Sequence, residues 1–166
     1  MKKLLLATVT LFLIISISCK NARDCVDEEQ EISQIENVLD QYILANENQD
    51  FSIIEKIWST KDDIVLIGTD SDEKLIGWNS IKKAIQHQFK SFDEVYITDK
   101  ERIINLGNDG KTAWFSVELS YNFIYKGEAK SFEGIRFTGV LIKANENWEL
   151  VQGHLSIPAE VDIEKE

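Results

Sequence analysis

Residues 111–125 read KTAWFSVELSYNFIY, and every second residue from Ala113 to Tyr125 is apolar or aromatic. The residues between them are mostly polar, including Ser116 and Glu118. Successive side chains of a strand point to opposite faces of a sheet, so this alternation predicts a long strand with one face in the core. The stretch therefore indicates an antiparallel sheet that is covered on one side.

The segments that flank this stretch read as further strands, at about residues 94–106, 131–143 and 148–157. Short turn sequences separate them, namely Asn108-Asp109-Gly110, Lys126-Gly127-Glu128 and Asn145-Glu146-Asn147. Turns of this length join antiparallel neighbours. The C-terminal half of the chain is therefore predicted to be a series of long hairpins.

The preceding part of the chain has a helical period instead. Apolar residues recur every three or four positions between residues 28 and 48, which predicts an amphipathic helix. Asp50 is expected to cap a second, short helix, and Asn79 a third helix over residues 79–92. Two short strands are expected between the second and third helices. Helices followed by antiparallel hairpins predict an α+β fold.

The N-terminus resembles a signal peptide. A basic start, Met1-Lys2-Lys3, precedes an apolar run from Leu4 to Ile17, which is too short to span a bilayer comfortably. The small residue Ser18 directly before Cys19 resembles a bacterial lipoprotein signal, which implies a lipidated Cys19 at the mature N-terminus. The alternative is a plain secretory signal, which would release a soluble protein.

These features predict the organisation of the whole chain: a signal peptide at 1–18, lipidated Cys19 with a polar tether at 19–30, a domain at 31–160 and an acidic tail at 161–166. We therefore expect an exported protein that is anchored by lipid at the bacterial cell envelope.

Charge and composition restrict the partners and cofactors. The chain has 18 Lys and Arg against 29 Asp and Glu, a formal net charge of −11. Nucleic-acid binding needs a surplus of cations, so a nucleic-acid partner is excluded. Two Cys and two His are too few for a structural zinc site, and we expect no metal and no cofactor. Because the chain is acidic, attachment to a membrane would depend on the lipid carried by Cys19.

Two blocks of sequence carry a family resemblance. The first, residues 65–81, reads VLIGTDSDEKLIGWNSI; the second reads GIRFTGVL at 134–141 and WELVQGHLSIP at 148–158. Over about residues 30–160 the chain resembles SnoaL-like domains of the nuclear transport factor 2-like superfamily. The resemblance implies a cone, in which a curved mixed sheet of mainly long antiparallel strands wraps around N-terminal helices. Related cystatin-like folds share this architecture.

The resemblance also implies a pocket between sheet and helices. If the two closing strands line that pocket, Arg136 and Thr138 on one strand and His154 on the next converge on it. A guanidinium with an imidazole would suit a carboxylate or another oxyanion. Tyr121 and Trp58 are candidate walls. The alternative is that Arg136 pairs with a carboxylate and His154 only forms hydrogen bonds within the fold.

Three functions remain open, because the superfamily hosts isomerases, cyclases, hydratases, transport factors and assembly domains. The first is a lipoprotein that binds a small ligand. The second is an isomerase, hydratase or cyclase with His154 or Asp70 as acid or base, although Asp70 lies in a turn sequence. The third is a ligand-free dimerisation or assembly module. Family members usually pair through the outer sheet surface, so a homodimer is expected through the face with Trp114, Glu118 and Ile124.

Overall fold

A computed structural model describes residues 27–159 as an α+β domain. In chain order its elements are α1 (Glu28–Asn48), α2 (Phe51–Ile57), β1 (Val65–Ile67), β2 (Lys74–Ile76), α3 (Trp78–Ser91), β3 (Phe92–Leu106), β4 (Thr112–Tyr125), β5 (Glu128–Ala144) and β6 (Asn147–Ser156). The predicted signal peptide, Cys19 and the acidic tail lie outside the described residues. None of the helices α1 to α3 is long and apolar enough to cross a membrane.

The helix starts follow from local capping. Asp50 caps α2 as predicted, because its Oδ1 atom accepts a hydrogen bond from the Ser52 N–H at 2.9 Å. Helix α3 begins one residue earlier than the sequence predicts. Its N-cap is Gly77 rather than Asn79, and Gly77 has a φ of 78°. Glycine adopts this conformation without steric cost, and the Gly77 carbonyl accepts the Ile81 N–H at 3.2 Å.

The six strands form one mixed sheet in the order β2-β1-β6-β5-β4-β3. β1 runs parallel to β6, and the other neighbours are antiparallel. Irregularities in register interrupt the pairing of β3 with β4, β4 with β5, and β5 with β6. Such bulges bend strands and increase their twist, so the sheet curves around the helices. The predicted curved mixed sheet around N-terminal helices is thereby confirmed.

The core lies between the concave face of the sheet and the helices. The alternation of β4 is confirmed, because its odd-numbered residues from Ala113 to Tyr121 are buried. Helix α1 covers them with Ile35, Val38, Leu39 and Tyr42. The Tyr42 ring stacks on Phe137 of β5, with 4.6 Å between the ring centroids.

Two glycines on the closing strands let aromatic rings approach the backbone. A Cβ atom at Gly139 of β5 would lie 2.6 Å from Cε1 of Phe115. One at Gly153 of β6 would lie 3.1 Å from Cη2 of Trp58 and 3.3 Å from Cε2 of Phe137. Phe115 and Phe137 also meet edge to face, at 4.9 Å. Aromatic side chains of the protein itself therefore line the centre of the cone.

Candidate functional site

Arg136 and Thr138 lie on the outer face of the sheet. Their neighbours in β5, Ile135 and Phe137, are buried in the core, and Phe137 stacks on Tyr42 of α1. Successive side chains of a strand point to opposite faces, so Arg136 and Thr138 point away from the helices. The expectation that they line the pocket is wrong.

His154 also lies on the outer face, and a bulge in β6 is the reason. Leu141 of β5 is paired with Leu150, but Val140 is paired with Gln152, so Val151 is skipped in the register. Because of this extra residue, every later side chain of β6 points to the opposite face of the sheet from the one that strict alternation predicts. His154 is then opposite Thr138, and the neighbouring Gly153 faces Trp58 instead. The predicted convergence of Arg136 and His154 on the pocket is therefore wrong.

The alternative role of Arg136, an ion pair with a carboxylate, finds no support in the described residues either. Arg136 is opposite Glu118 in the register, but Glu118 pairs with Lys100 on its other side, at 2.9 Å between Nζ and Oε1. None of the ion pairs formed within residues 27–159 includes Arg136. Lys100, Glu118 and Arg136 form a charged row across the outer face.

Asp70 lies in the turn between β1 and β2 and is exposed, as is Asp72. The backbone carbonyls of Asp70 and Asp72 accept the N–H groups of Glu73 and Lys74, at 3.1 and 3.0 Å. Asp70 is thus a turn residue in contact with solvent. It lacks the closed apolar surroundings that an acid–base role in the cone would require.

The two predicted wall residues do lie inside the cone. Tyr121 of β4 is buried beside Gln88 of α3, and the Gln88 Nε2 atom donates a hydrogen bond to Asn46 Oδ1 at 3.1 Å. Burial raises the pKa of the Tyr121 hydroxyl well above its ordinary value. Trp58, which ends α2, is only 1% exposed. Ligand contact by either residue stays a prediction.

The indole N–H of Trp58 lacks a hydrogen-bond acceptor among residues 27–159. Buried Trp N–H groups usually have a partner, and a buried donor without one costs about 1–3 kcal/mol. Trp58 meets Phe137 and Leu66 over Gly153, at the centre of the cone. The cone thus contains a hydrogen-bond donor, the Trp58 N–H, for which residues 27–159 provide no acceptor.

A carboxylate that the sequence does not single out lies over the residue that follows β1. Glu73 folds back over Gly68, so that a Cβ atom on Gly68 would overlap with Glu73 Oε2. The Gly68 N–H donates to the Glu73 carbonyl at 2.9 Å, which holds the two backbones together. Glu73 therefore packs its carboxylate against the backbone of Gly68, directly after β1.

Tyr42 is a further polar side chain of the cone and is buried. Burial raises the pKa of the Tyr42 hydroxyl, and the negative charge of Glu73 raises it further. The Tyr42 ring stacks on Phe137, and the rings of Phe137 and Trp58 both approach Gly153. We call Tyr42 and Trp58 the inner polar site.

The SnoaL-like domain family matches residues 35–160, most of the chain and nearly all of the described domain. The chain belongs to the SnoaL-like domain family. No curated protein matches the sequence.

Solved structures share the architecture of this SnoaL-like domain. A nuclear transport factor 2-like superfamily protein from Salmonella enterica superposes with a TM-score of 0.74 at 16% identity, covering 83% of this chain and 98% of its own. A protein from Streptomyces avermitilis, described as a candidate dehydratase of the same superfamily, gives 0.71 at 13%, covering 80% and 99%. A cystatin-like protein from Nostoc punctiforme gives 0.61 at 12%, covering 78% and 92%. At these identities the likeness establishes the fold alone.

The inner polar site of this SnoaL-like domain combines an indole donor and a phenol among aromatic side chains. It can bind a small molecule that has an acceptor for the Trp58 N–H. No three His, Cys, Asp or Glu side chains between residues 27 and 159 cluster closely enough to hold a metal ion.

Proposed function

We propose that the protein is an exported, lipid-anchored SnoaL-like protein that binds a small molecule in its cone, at the inner polar site. One observation carries the binding proposal: the buried Trp58 N–H has no acceptor among the described residues. A ligand oxygen or nitrogen that accepts this N–H would remove the cost of leaving it unpaired. The signal-like segment that ends at Cys19 supports the export and the anchor.

The comparisons support a small molecule as the ligand. The superfamily includes ligand-binding and isomerase- or dehydratase-type proteins, and the Streptomyces avermitilis protein is described as a candidate dehydratase. We propose binding rather than catalysis for this chain, because Asp70 is exposed in a turn and His154 is on the outer face. The two acid–base candidates are thus both outside the cone.

A ligand screen with a Trp58→Phe variant tests this function. Phenylalanine keeps an aromatic ring in the cone but removes the N–H donor. We expect wild-type protein to be stabilised by at least one small molecule, and Trp58→Phe to bind that molecule about fivefold more weakly, the value of one neutral hydrogen bond. Trp114→Phe, on the exposed outer face, is the matched control and should bind normally. Equal affinity in Trp58→Phe would place the ligand elsewhere and contradict the proposal.

A second function, homodimerisation through the outer face, has its own observation. Trp114 of β4 is 48% exposed and Ile103 of β3 is 59% exposed, and both lie on the convex side of the sheet. Val140 of β5 is opposite Trp114 and extends the apolar surface. The charged row of Lys100, Glu118 and Arg136 runs beside it and contains both signs of charge. A two-fold axis would bring this surface against its own copy, so we propose it as a dimer contact.

A further inference from the structure

The first half of β5 has an edge without a neighbouring strand. β4 pairs with β5 from Glu128 to Ile142. On the other side, β6 pairs with β5 only from Arg136 onward, because the pairing of β6 ends at Ser156. Within residues 27–159, the side of segment 128–134 that points away from β4 is therefore unpaired. We call it the open edge. Such an edge is a template for a further strand.

Aromatic side chains lie beside the open edge. Phe132 of β5 is 39% exposed and is opposite the buried Tyr121 of β4 in the register, so it is on the inner face. Its ring is parallel to that of Phe123, with 6.0 Å between the centroids, and Phe123 stacks on Phe92 at 4.0 Å. Phe92, Phe123 and Phe132 form an aromatic cluster that the described residues leave partly uncovered.

The sequence after β6 continues the alternation of that strand. Residues 155–164 read LSIPAEVDIE, in which every odd-numbered residue is apolar and the even-numbered ones are polar apart from Pro158. Leu155 packs against the core, so the odd-numbered positions belong to the inner face. A period of two over this length is typical of a strand with one face covered.

The chain leaves β6 beside the open edge. A Cβ atom on Gly134 of β5 would lie 3.6 Å from Cγ of Pro158. Ile157 and Pro158 therefore follow the direction of β6 along β5 rather than turning away from the sheet. The residues from Glu160 onward start where the open edge starts.

The bulge in β5 brings the two alternations into phase. Between its pairing with Leu119 and its pairing with Tyr121, β5 has one residue more than β4, at positions 133–134. A strand on the other side of β5 meets the same extra residue. Ala159 is then opposite Phe132, and Val161 is opposite Lys130. Apolar residues of the continuing segment thus fall on the inner side, next to the aromatic cluster.

We propose that residues 160–164 resume strand β6 along the open edge of β5, so that Val161 and Ile163 cover the aromatic cluster. Glu160, Asp162 and Glu164 are then on the outer side, in contact with solvent. Covalent attachment gives the segment a high effective concentration at the edge, which favours it over a separate chain. Pro158 has no N–H and interrupts the ladder at one position only. The assignment does not depend on ligand binding.

Hydrogen exchange of the full chain, followed by NMR at each amide, tests this assignment. Amide N–H groups of residues 128–131 that point away from β4 should exchange about tenfold more slowly in the wild type than in a chain that ends at Ala159. Amides of residues 113–119 have strands on both sides in both proteins. They are the internal reference for an intact fold and should not change.

Two double variants test which side chains hold the segment. Val161→Ser with Ile163→Ser removes the apolar groups from the inner positions and should accelerate exchange at the open edge as much as the truncation does. Asp162→Ser with Glu164→Ser is the matched control, because it changes the outer positions of the same segment. The control should keep the slow exchange of the wild type.

Three outcomes would overturn the proposal. The first is that the amides of the open edge exchange in the wild type at the rate of an unstructured chain, or equally slowly in the truncated chain. The second is that their protection disappears on dilution, since a second copy of the chain would then cover the edge. The third is that the Asp162 and Glu164 variant loses protection as fully as the Val161 and Ile163 variant does.

Discussion

Trp148 of β6 donates its indole N–H to the Glu31 carboxylate of α1 across 2.8 Å. Lys143 of β5 pairs with the same carboxylate at 2.6 Å, so a single residue in the first turn of the helix is tied to both closing strands. Burial alone would raise the pKa of Glu31, but the hydrogen bonds with Lys143 and Trp148 lower it overall. This contact fixes the start of α1 against the sheet.

A Glu31→Gln variant should therefore lose part of the acid sensitivity of the fold. A carboxyl whose folded-state pKa is lowered contributes stability above its unfolded pKa and loses it as the pH falls through the folded value. We expect the free energy of unfolding of wild-type protein to decrease more steeply over that acidic range than that of the variant. Urea unfolding at a series of pH values measures the difference. Parallel curves would show that the contact does not stabilise the fold.

Trp148→Ala should destabilise the domain strongly. The side chain is 3% exposed, and truncation of a large buried aromatic residue costs about 3–5 kcal/mol. It would also remove one hydrogen bond from Glu31. Leu44→Ala, at an exposed site on α1, is the control and should change the free energy of unfolding by less than about 0.5 kcal/mol. A Trp148→Ala variant that unfolds at the wild-type urea concentration would disprove this.

If the outer face is a dimer contact, a single substitution in that face should dissociate the dimer into monomers. Trp114→Glu places a charge in the middle of the exposed apolar surface with Ile103 and Val140, where burial against a second copy would be unfavourable. Light scattering after size exclusion should report a dimer for wild-type protein and a monomer for the variant. Leu44→Glu, on the helical side, should remain dimeric. A monomeric wild type at micromolar concentration would exclude this surface as a stable interface.

Cys19 decides between the two export hypotheses. Cys19→Ser should abolish lipidation, so that the protein moves from the detergent phase to the aqueous phase on phase separation with a nonionic detergent. Wild-type protein expressed in a bacterial host should enter the detergent phase. If it enters the aqueous phase, the plain secretory signal is the better interpretation.

The strands of the sheet can be predicted well from the sequence, because the residues of each strand and of its flanking turns mark it. The alternation in residues 111–125 reports burial directly, and the turn residues mark the ends of the strands. The same signal in β5 places Ile135 and Phe137 on the buried face and Arg136 opposite them. The expected pocket role of Arg136 came from the family resemblance and conflicts with this local pattern, and the local pattern is right.

The positions of His154 and Glu73 could not be predicted from the sequence, for physical reasons. The bulge at Val151 inverts the faces of β6, and nothing in the local sequence of that strand marks it. Glu73 belongs to an acidic turn, Thr69-Asp70-Ser71-Asp72-Glu73, which is typical of a solvated loop. Its carboxylate lies over Gly68, which has no side chain to occupy that space.

The indole N–H resonance of Trp58 gives the most direct test of ligand binding in the cone. The chain has four tryptophans, so a ¹⁵N-labelled sample should show four indole signals, and the one missing from Trp58→Phe is assigned to Trp58. Titration with a compound that stabilises the protein should shift this signal to lower field as the N–H gains an acceptor, and should leave the Trp148 signal in place, because Trp148 already donates to Glu31. A Trp58 signal that does not move at saturating ligand would contradict the account.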